Sequence, residues 1–412
     1  MLVESNSNTM KISWKCVRDI GIAFLILYLS TKYILLQIQL NSQGYKPEER
    51  FSQPNISSYY AVGSDLKSQQ YDPRVFPLYE KEAIILEGMF RKRVSSFYEK
   101  YKQYYERINK KIRGFKKVTL QKMEHQICSK PIDLLIMVNS SPLNVKRRLA
   151  IRYSWGERVI KLKSTREQSR VLFFIGRSTD LEIQGKVEEE AMEFQDIISL
   201  DLIDDYKTLS AKVMETFHWV YGNCKTYFIL KTDDDCFVNK DNLLEFLQRQ
   251  GVRETLYTGR VQWAMPAIRD PSSKFYVPKT TYEPVFLHPY VSGGGYVLSA
   301  NLLKPILKSD RKSGKRLPIE DANIGNLMHN INIKPSDNRN FLPFIYCNIS
   351  VWDRPPCDYV EPYVIHGVDE YGQLWLHYHI KIMTHVPSIC KHSKKHRHKF
   401  QPPTYCPVDL SL

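Results

Sequence analysis

Three consecutive carboxylates, Asp233, Asp234 and Asp235, follow the apolar run 227–230 (YFIL) and Lys231-Thr232, and they precede Cys236-Phe-Val. Like charges this close repel one another. Setting them at the end of a buried strand is costly unless something neutralises them. In an extended segment Asp233 and Asp235 point to the same side. Two carboxylates on one side make half of a site for a hard divalent cation, Mg2+ or Mn2+. Such a cation can bridge a diphosphate and stabilise negative charge on a leaving group. The apolar flanks argue against an exposed polar turn. A zinc site of Cys and His fits this stretch less well, because no close Cys or His pair accompanies the Asp run.

The elements around the run are those of an α/β domain. Residues 132–138 (IDLLIMV), 171–175 (VLFFI), 196–200 (DIISL) and 227–230 read as short buried strands bounded by turn signals. Residues 209–221 have helical spacing and end at Gly222. Strands alternating with helical stretches predict a largely parallel sheet, whose ligands bind outside the carboxyl ends of its strands. The Asp run stands at one such end.

The chain has 412 residues with 43% hydrophobic and 25% charged, which excludes a mainly disordered protein. Its net charge of +15 is concentrated in two places. Residues 81–122 hold 13 Lys and Arg against four Glu, and residues 391–399 hold five bases and no acid. The remainder is nearly neutral, so no nucleic-acid partner is expected. The basic segments read as solvated, with an acidic membrane surface or acidic glycan as the functional alternative.

Residues 20–40 are long and apolar enough for one membrane span, with Lys11, Lys15 and Arg18 before them. That predicts a cytosolic tail at 1–19, a transmembrane signal-anchor at 20–40, a stem at 41–126 and a lumenal domain at 127–412. Within the stem, the polar residues 41–75 suit a linker, and the Lys-, Glu-, Tyr- and Arg-rich residues 76–126 a solvated helix. Seven cysteines follow the span, so in an oxidising lumen most should pair and one should remain free. Asn55 and Asn348 are expected glycosylation acceptors, whereas Asn139 ends an apolar run and is a poor one. For the tail, a disulfide through Cys390 or Cys406 is preferred over a zinc site with His392, His396 and His398.

The pattern apolar–Lys–x–Asp–Asp–Asp–x–Phe resembles the β1,3-galactosyltransferase family, glycosyltransferase family 31. Further elements match in order. Arg147-Arg-Leu-Ala-Ile-Arg-Tyr-Ser-Trp155-Gly156 resembles its early Arg-rich element, and Phe173-Phe-Ile-Gly176 its second strand. Glu190, and then the stretch from Asp196 through Tyr206 to Lys212, resemble its acidic-to-lysine motif, which continues past Trp219 and Cys224. Lys274-Phe-Tyr-Val-Pro278 and Pro289-Tyr-Val-Ser-Gly293-Gly-Gly295-Tyr-Val resemble its acceptor-side block. Glu320-Asp321-Ala-Asn-Ile-Gly325 and Val364-Ile-His366, with Trp375 downstream, resemble its closing elements. The likeness runs over residues 131–375. Cys236, Leu202 and Ala322-Asn-Ile depart from it, at positions where the family has an apolar residue, Phe and Val-Tyr-x.

The resemblance implies a GT-A type fold and a metal-dependent, inverting transfer of a hexose from a UDP-sugar to a glycan acceptor. Galactose in β1,3 linkage is the first expectation, with N-acetylglucosamine or N-acetylgalactosamine as alternatives. A catalytically silent glycan-binding protein or chaperone on the same fold is the alternative of another class. It implies a single-pass type II Golgi membrane protein with a lumenal catalytic domain. On this reading Asp233, Asp235 and His366 hold Mn2+ or Mg2+. Asp321 is the general base, and Glu320 beside it helps to orient the acceptor. Arg147, Arg152, Asp234 and Lys212 face the donor. Tyr290 and the glycines Gly293, Gly294 and Gly295 face the acceptor, since glycine permits a close backbone approach to a sugar.

Overall fold

A computed structural model describes residues 92–107 apart from 93 and 105, then 127–157, 164–251, 255–343 and 356–385. The expected tail, anchor and linker at 1–75, both sequons at Asn55 and Asn348, and the tail cysteines Cys390 and Cys406 lie outside these residues. Among the described residues no helix is long and apolar enough to cross a membrane.

The domain is built on β1 (Ile132–Asn139), α1 (Val145–Arg152), β2 (Glu167–Arg177), α2 (Leu181–Phe194), β3 (Ile197–Ile203), α3 (Leu209–Asn223) and β4 (Thr226–Asp233). It continues through β5 (Cys236–Val238), α4 (Lys240–Gln250), β6 (Tyr257–Gln262), β7 (Tyr290–Ser299), α5 (Leu303–Ser313) and α6 (Glu320–Asn330). It closes with β8 (Ser336–Asp337), β9 (Phe341–Leu342), β10 (Val364–His366) and α7 (Glu370–His385).

The strands form a seven-stranded sheet in the order β3-β2-β1-β4-β7-β6-β8 and a three-stranded sheet in the order β5-β10-β9. β3, β2, β1 and β4 run parallel, and β7 is antiparallel to both β4 and β6. This mixed α/β architecture, parallel through its first four strands, fits a GT-A-like glycosyltransferase. The four strands read from apolar runs are all present. α3 passes through Gly222 and ends one residue later, so that glycine does not stop the helix.

Alternation along the strands divides the core. Leu134, Ile136, Val138, Phe173, Ile175, Phe228 and Leu230 pack on one face, with Trp155, Val187 and Phe237. Leu135, Met137, Leu172, Phe174 and Ile229 pack on the other, against Val213, Phe217 and Val220 of α3 and against α5 and α6. Two covered faces explain why these strands read as continuous apolar runs rather than alternating ones. Asp180 caps α2 by accepting from the amides of Glu182 and Ile183.

Residues 94–104 are helical. Phe97 and Tyr104 on this helix are buried with Leu149, Ala150 and Leu374, so its apolar stripe is not solvated. Cys128 is bonded to Cys224, tying the entrance of β1 to the end of α3. Cys357 is also disulfide-bonded. Cys236 is the free cysteine among the described residues, and it is fully buried.

Candidate functional site

The parallel strands end together. Asn139 pairs with Asp233 across β1 and β4, and the Asp run turns out from that edge into β5. Because β7 is antiparallel to β4, its glycines lie at the same edge, with Gly295 opposite Thr232. β5 then pairs with β10, which sets His366 directly opposite Cys236. The start of α6 brings Glu320 and Asp321 to Gly293. Residues separated by more than 130 positions in the chain thus meet at one strand edge.

The triple glycine is what allows this convergence. A Cβ on Gly294 would stand 2.9 Å from Cβ and 3.0 Å from Cγ of His366. One on Gly295 would come within 2.6 Å of Val364 Cγ1, and one on Gly293 within 3.3 Å of the Asp321 and Glu320 carboxylates. The close backbone approach read from the glycines is therefore made by β10 and α6 of the protein itself.

The three aspartates have three different environments. Asp233 accepts from Lys231 Nζ at 3.0 Å and from Asn139 Nδ2 at 3.4 Å. Asp234 is buried and accepts from Ser140 Oγ at 2.7 Å, Asn144 Nδ2 at 2.9 Å and Arg147 Nη1 at 3.0 Å. Expected on the donor side, it faces inward here and fastens the loop after β1. Asp235 lies 3.5 Å from His366 Nε2 and 3.7 Å from Arg147. Burial raises its carboxyl above the usual range, and Asp233 and Asp234 add to this against the pull of His366 and Arg147.

One oxygen of Asp235, Cys236 Sγ and a ring nitrogen of His366 all lie within 4.8 Å of one another, close enough to hold one metal ion. This donor set contains the expected Asp235 and His366, brings in Cys236, and leaves Asp233 engaged with Lys231. Burial, then the charges of Asp235 and Asp233, hold the Cys236 thiol protonated.

Beneath the metal-binding group is a buried charge network. Lys231, 1% exposed, donates to Gly293 O at 2.8 Å and pairs with Glu320 Oε2 at 2.9 Å as well as Asp233. Burial works against its charge, but Asp233 and Glu320 more than reverse this and raise its pKa. Tyr296 donates to Glu320 at 2.9 Å. Glu320 is thus engaged internally, by Lys231 and Tyr296. Asp321 Oδ2 accepts from the Gly293 amide at 2.8 Å, and Oδ1 from the Ala322 amide at 2.8 Å. Burial and then the Glu320 charge push its pKa up to about 7, against the opposing Gly293 amide and Lys231. A carboxylate that titrates near neutrality suits proton abstraction.

Other sequence-derived positions fall elsewhere. Arg152 sends its fork to Asp196, at 2.7 and 2.8 Å, and to Glu190 at 2.7 Å, with its plane over Phe194. It lines a cleft of about 190 Å3 whose walls contain neither His366 nor any residue of the Asp run. Lys212 is buried and bonded to Asp204 at 2.6 Å and to Ser140 O at 2.7 Å. In this fold both, expected as donor contacts, make internal ties to protein acceptors. Tyr290 is buried with Tyr282, Leu287 and Ala322, and its packing is close enough that a Cβ on Gly325 would strike it. Arg147 stays at the rim, 37% exposed. Asn139 is buried and unfit as a glycan acceptor.

Two participants escaped the sequence reading. Lys231 is a lone cation at the end of an apolar strand, and that pattern alone should have demanded buried acidic partners. Arg148 is fully buried and paired with Glu190 at 2.6 Å, and it also donates to Ser140 Oγ, which holds Asp234.

Comparison with known proteins places this arrangement among relatives. The galactosyltransferase family model matches residues 146–339, which include the Asp run, the glycines and Asp321. The human N-acetyllactosaminide β-1,3-N-acetylglucosaminyltransferase 4 is 30% identical over 248 residues, 60% of this chain and 63% of that protein. The mouse β-1,3-galactosyltransferase 1 is 34% identical over 222 residues, 52% of this chain and 65% of that protein. The human lactosylceramide 1,3-N-acetyl-β-D-glucosaminyltransferase is 30% identical over 250 residues, 59% of this chain and 65% of that protein. The chain therefore spans slightly less than two thirds of the length of these relatives. The domain at residues 146–339 belongs to the galactosyltransferase family.

Proposed function

We propose that the protein is a hexosyltransferase that moves galactose from UDP-galactose to a glycan acceptor in β1,3 linkage, with inversion. Asp321 carries this reading. It is a carboxylate shifted to about 7, fixed by the Gly293 amide, and it stands at the edge where Asp235 and His366 converge. Asp321 takes the proton from the acceptor hydroxyl as that oxygen attacks the sugar carbon. The bond to the diphosphate breaks on the opposite side. Asp235 and His366 would hold the divalent cation, Mn2+ or Mg2+, which supplies charge compensation to the departing diphosphate when bound. Arg147, at the rim beside Asp235 and half-exposed, would turn the remaining donors of its guanidinium to a phosphate oxygen. Lys231 ties Asp233 and Glu320 together and holds the floor of the site rigid.

N-acetylglucosamine is the second donor, favoured by the two human relatives named for its transfer. The protein acts in this reading as a type II Golgi enzyme anchored through residues 20–40. The Cys128–Cys224 disulfide supports an oxidising compartment. The test is UDP release by the purified chain with a panel of UDP-sugars and galactose-, N-acetylglucosamine- and N-acetylgalactosamine-terminated acceptors, with Mn2+ or chelator. Metal-dependent release from one donor is expected. Folded protein that fails to bind UDP in the presence of Mn2+ would sink the assignment, and folded protein that binds UDP without transfer to any acceptor would favour a silent glycan-binding role.

A further inference from the structure

We propose that Cys236 is itself a protein ligand of the cation, so that the site favours a thiophilic ion of the zinc type over Mn2+ or Mg2+. This rests on the cation site of the proposed function and alters its chemistry.

Register supplies the first argument. Cys236 and His366 are direct antiparallel partners, and residues opposite each other in such a pair project to the same side. Asp235 leaves the preceding turn toward the same point, 3.5 Å from His366 Nε2.

Distance supplies the second. Zinc bonds of about 2.3 Å to sulfur and about 2.0–2.1 Å to nitrogen and oxygen set the edges of a tetrahedron. Those lengths place sulfur and oxygen about 3.6 Å apart and nitrogen and oxygen about 3.4 Å apart. Cys236 Sγ stands 3.8 Å from Asp235 Oδ1, and His366 Nε2 stands 3.5 Å from the same oxygen. Two edges of the coordination polyhedron are therefore in place within a few tenths of an ångström. Three protein ligands leave one position for a diphosphate oxygen, as catalytic zinc sites do.

Freeing the sulfur also leaves no acceptor stranded. The thiol now donates to Gly294 O at 2.8 Å, but Thr232 Oγ1 donates to the same oxygen at 3.0 Å. Metallation exchanges the S–H bond for a sulfur–metal bond, and the proton departs to bulk water. Thr232 continues to satisfy the carbonyl. Mg2+ and Mn2+ prefer oxygen donors and gain little from a thiolate, whereas zinc and cobalt gain much.

Cobalt titration of the purified full chain tests this, because a thiolate bound to Co2+ gives a near-ultraviolet charge-transfer absorption. The wild-type protein should show that band, and Zn2+ should bleach it. Cys236→Ser, which keeps a donor toward Gly294 O, should lose it, and Cys236→Ala should do the same if the serine variant folds poorly. Affinity for Zn2+ should fall at least tenfold in either variant, with affinity for Mn2+ changed less than about threefold. Cobalt bound without the band, or a band that survives in both variants, would overturn the thiolate while leaving the Asp235–His366 site standing. Failure of Co2+, Zn2+ and Mn2+ alike to bind would overturn the cation site as well.

Discussion

The sharpest quantitative consequence concerns Asp321: burial and the Glu320 charge push its carboxyl up to about 7, and the rate should follow its ionisation. The base acts only when ionised, so activity rises with pH through that value. The ionised fraction is about 1% at pH 5, about 9% at pH 6 and one half at pH 7. At saturating cation, kcat/KM should climb about ninefold from pH 5 to 6, about fivefold from 6 to 7, and less than twofold from 7 to 8. An aspartate at its ordinary pKa would be more than 90% ionised by pH 5 and would give a flat profile. Protonation of a cation-binding histidine would also depress the rate in acid, and Glu320→Gln separates the two causes. Glu320 is the second contributor to the Asp321 shift, after burial. Removing its charge favours the ionised aspartate, so the acid limb should move to lower pH. Steady-state UDP release across pH 5–8, with wild type, Glu320→Gln and Asp321→Asn, reads all of this. Asp321→Asn should lose on the order of 10²–10⁴ in rate while still binding UDP. A flat wild-type profile between pH 5 and 7, or an acid limb that Glu320→Gln leaves in place, would refute the general-base argument.

Three further perturbations probe the supporting structure. Lys231→Met leaves Asp233 and Glu320 without their shared cation and should cost about 3–5 kcal/mol in denaturant unfolding, a loss that adding Glu320→Gln partly restores. Gly294→Ala drives a methyl against the His366 ring and should weaken Mn2+ binding about 10–100-fold by calorimetry. Gly222→Ala, inside α3 with open space around it, should instead stabilise by about 0.5–1 kcal/mol. Arg152→Met breaks a buried arrangement with Glu190 and Asp196 and should lower the melting temperature by on the order of 10 °C. Its UDP affinity when folded should be unchanged, and a large rise in KM for donor at unchanged stability would restore it to the donor side.

The parallel half of the fold was legible because buried strands must be apolar on both faces, and residues 132–138, 171–175 and 227–230 satisfy that without help from their neighbours. The Asp run, His366 and Asp321 were likewise legible as types of chemistry. What could not be read was direction. Arg152 and Lys212 look like phosphate ligands in one dimension, yet Asp196, Glu190, Asp204 and Ser140 reach them first in the fold. Asp234 and Asp235 are adjacent and chemically identical. A turn sends one inward to Ser140, Asn144 and Arg147 and leaves the other beside His366.

The same limit explains the metal site. In the sequence a zinc site of Cys and His fits less well, because no such pair lies close to the Asp run in the chain. Cys236 and His366 are 130 positions apart, and only the pairing of β5 with β10 makes them neighbours. That pairing in turn requires Gly294 and Gly295, because side chains on β7 would strike His366 and Val364 of β10. The glycines, read as a floor for a sugar, act one step earlier. They let the strand that carries the histidine close over the strand that carries the aspartates. A substitution at Gly294 should therefore be felt first by cation binding and only through it by sugar transfer, an order that paired metal titrations and rate measurements on Gly294→Ala would expose.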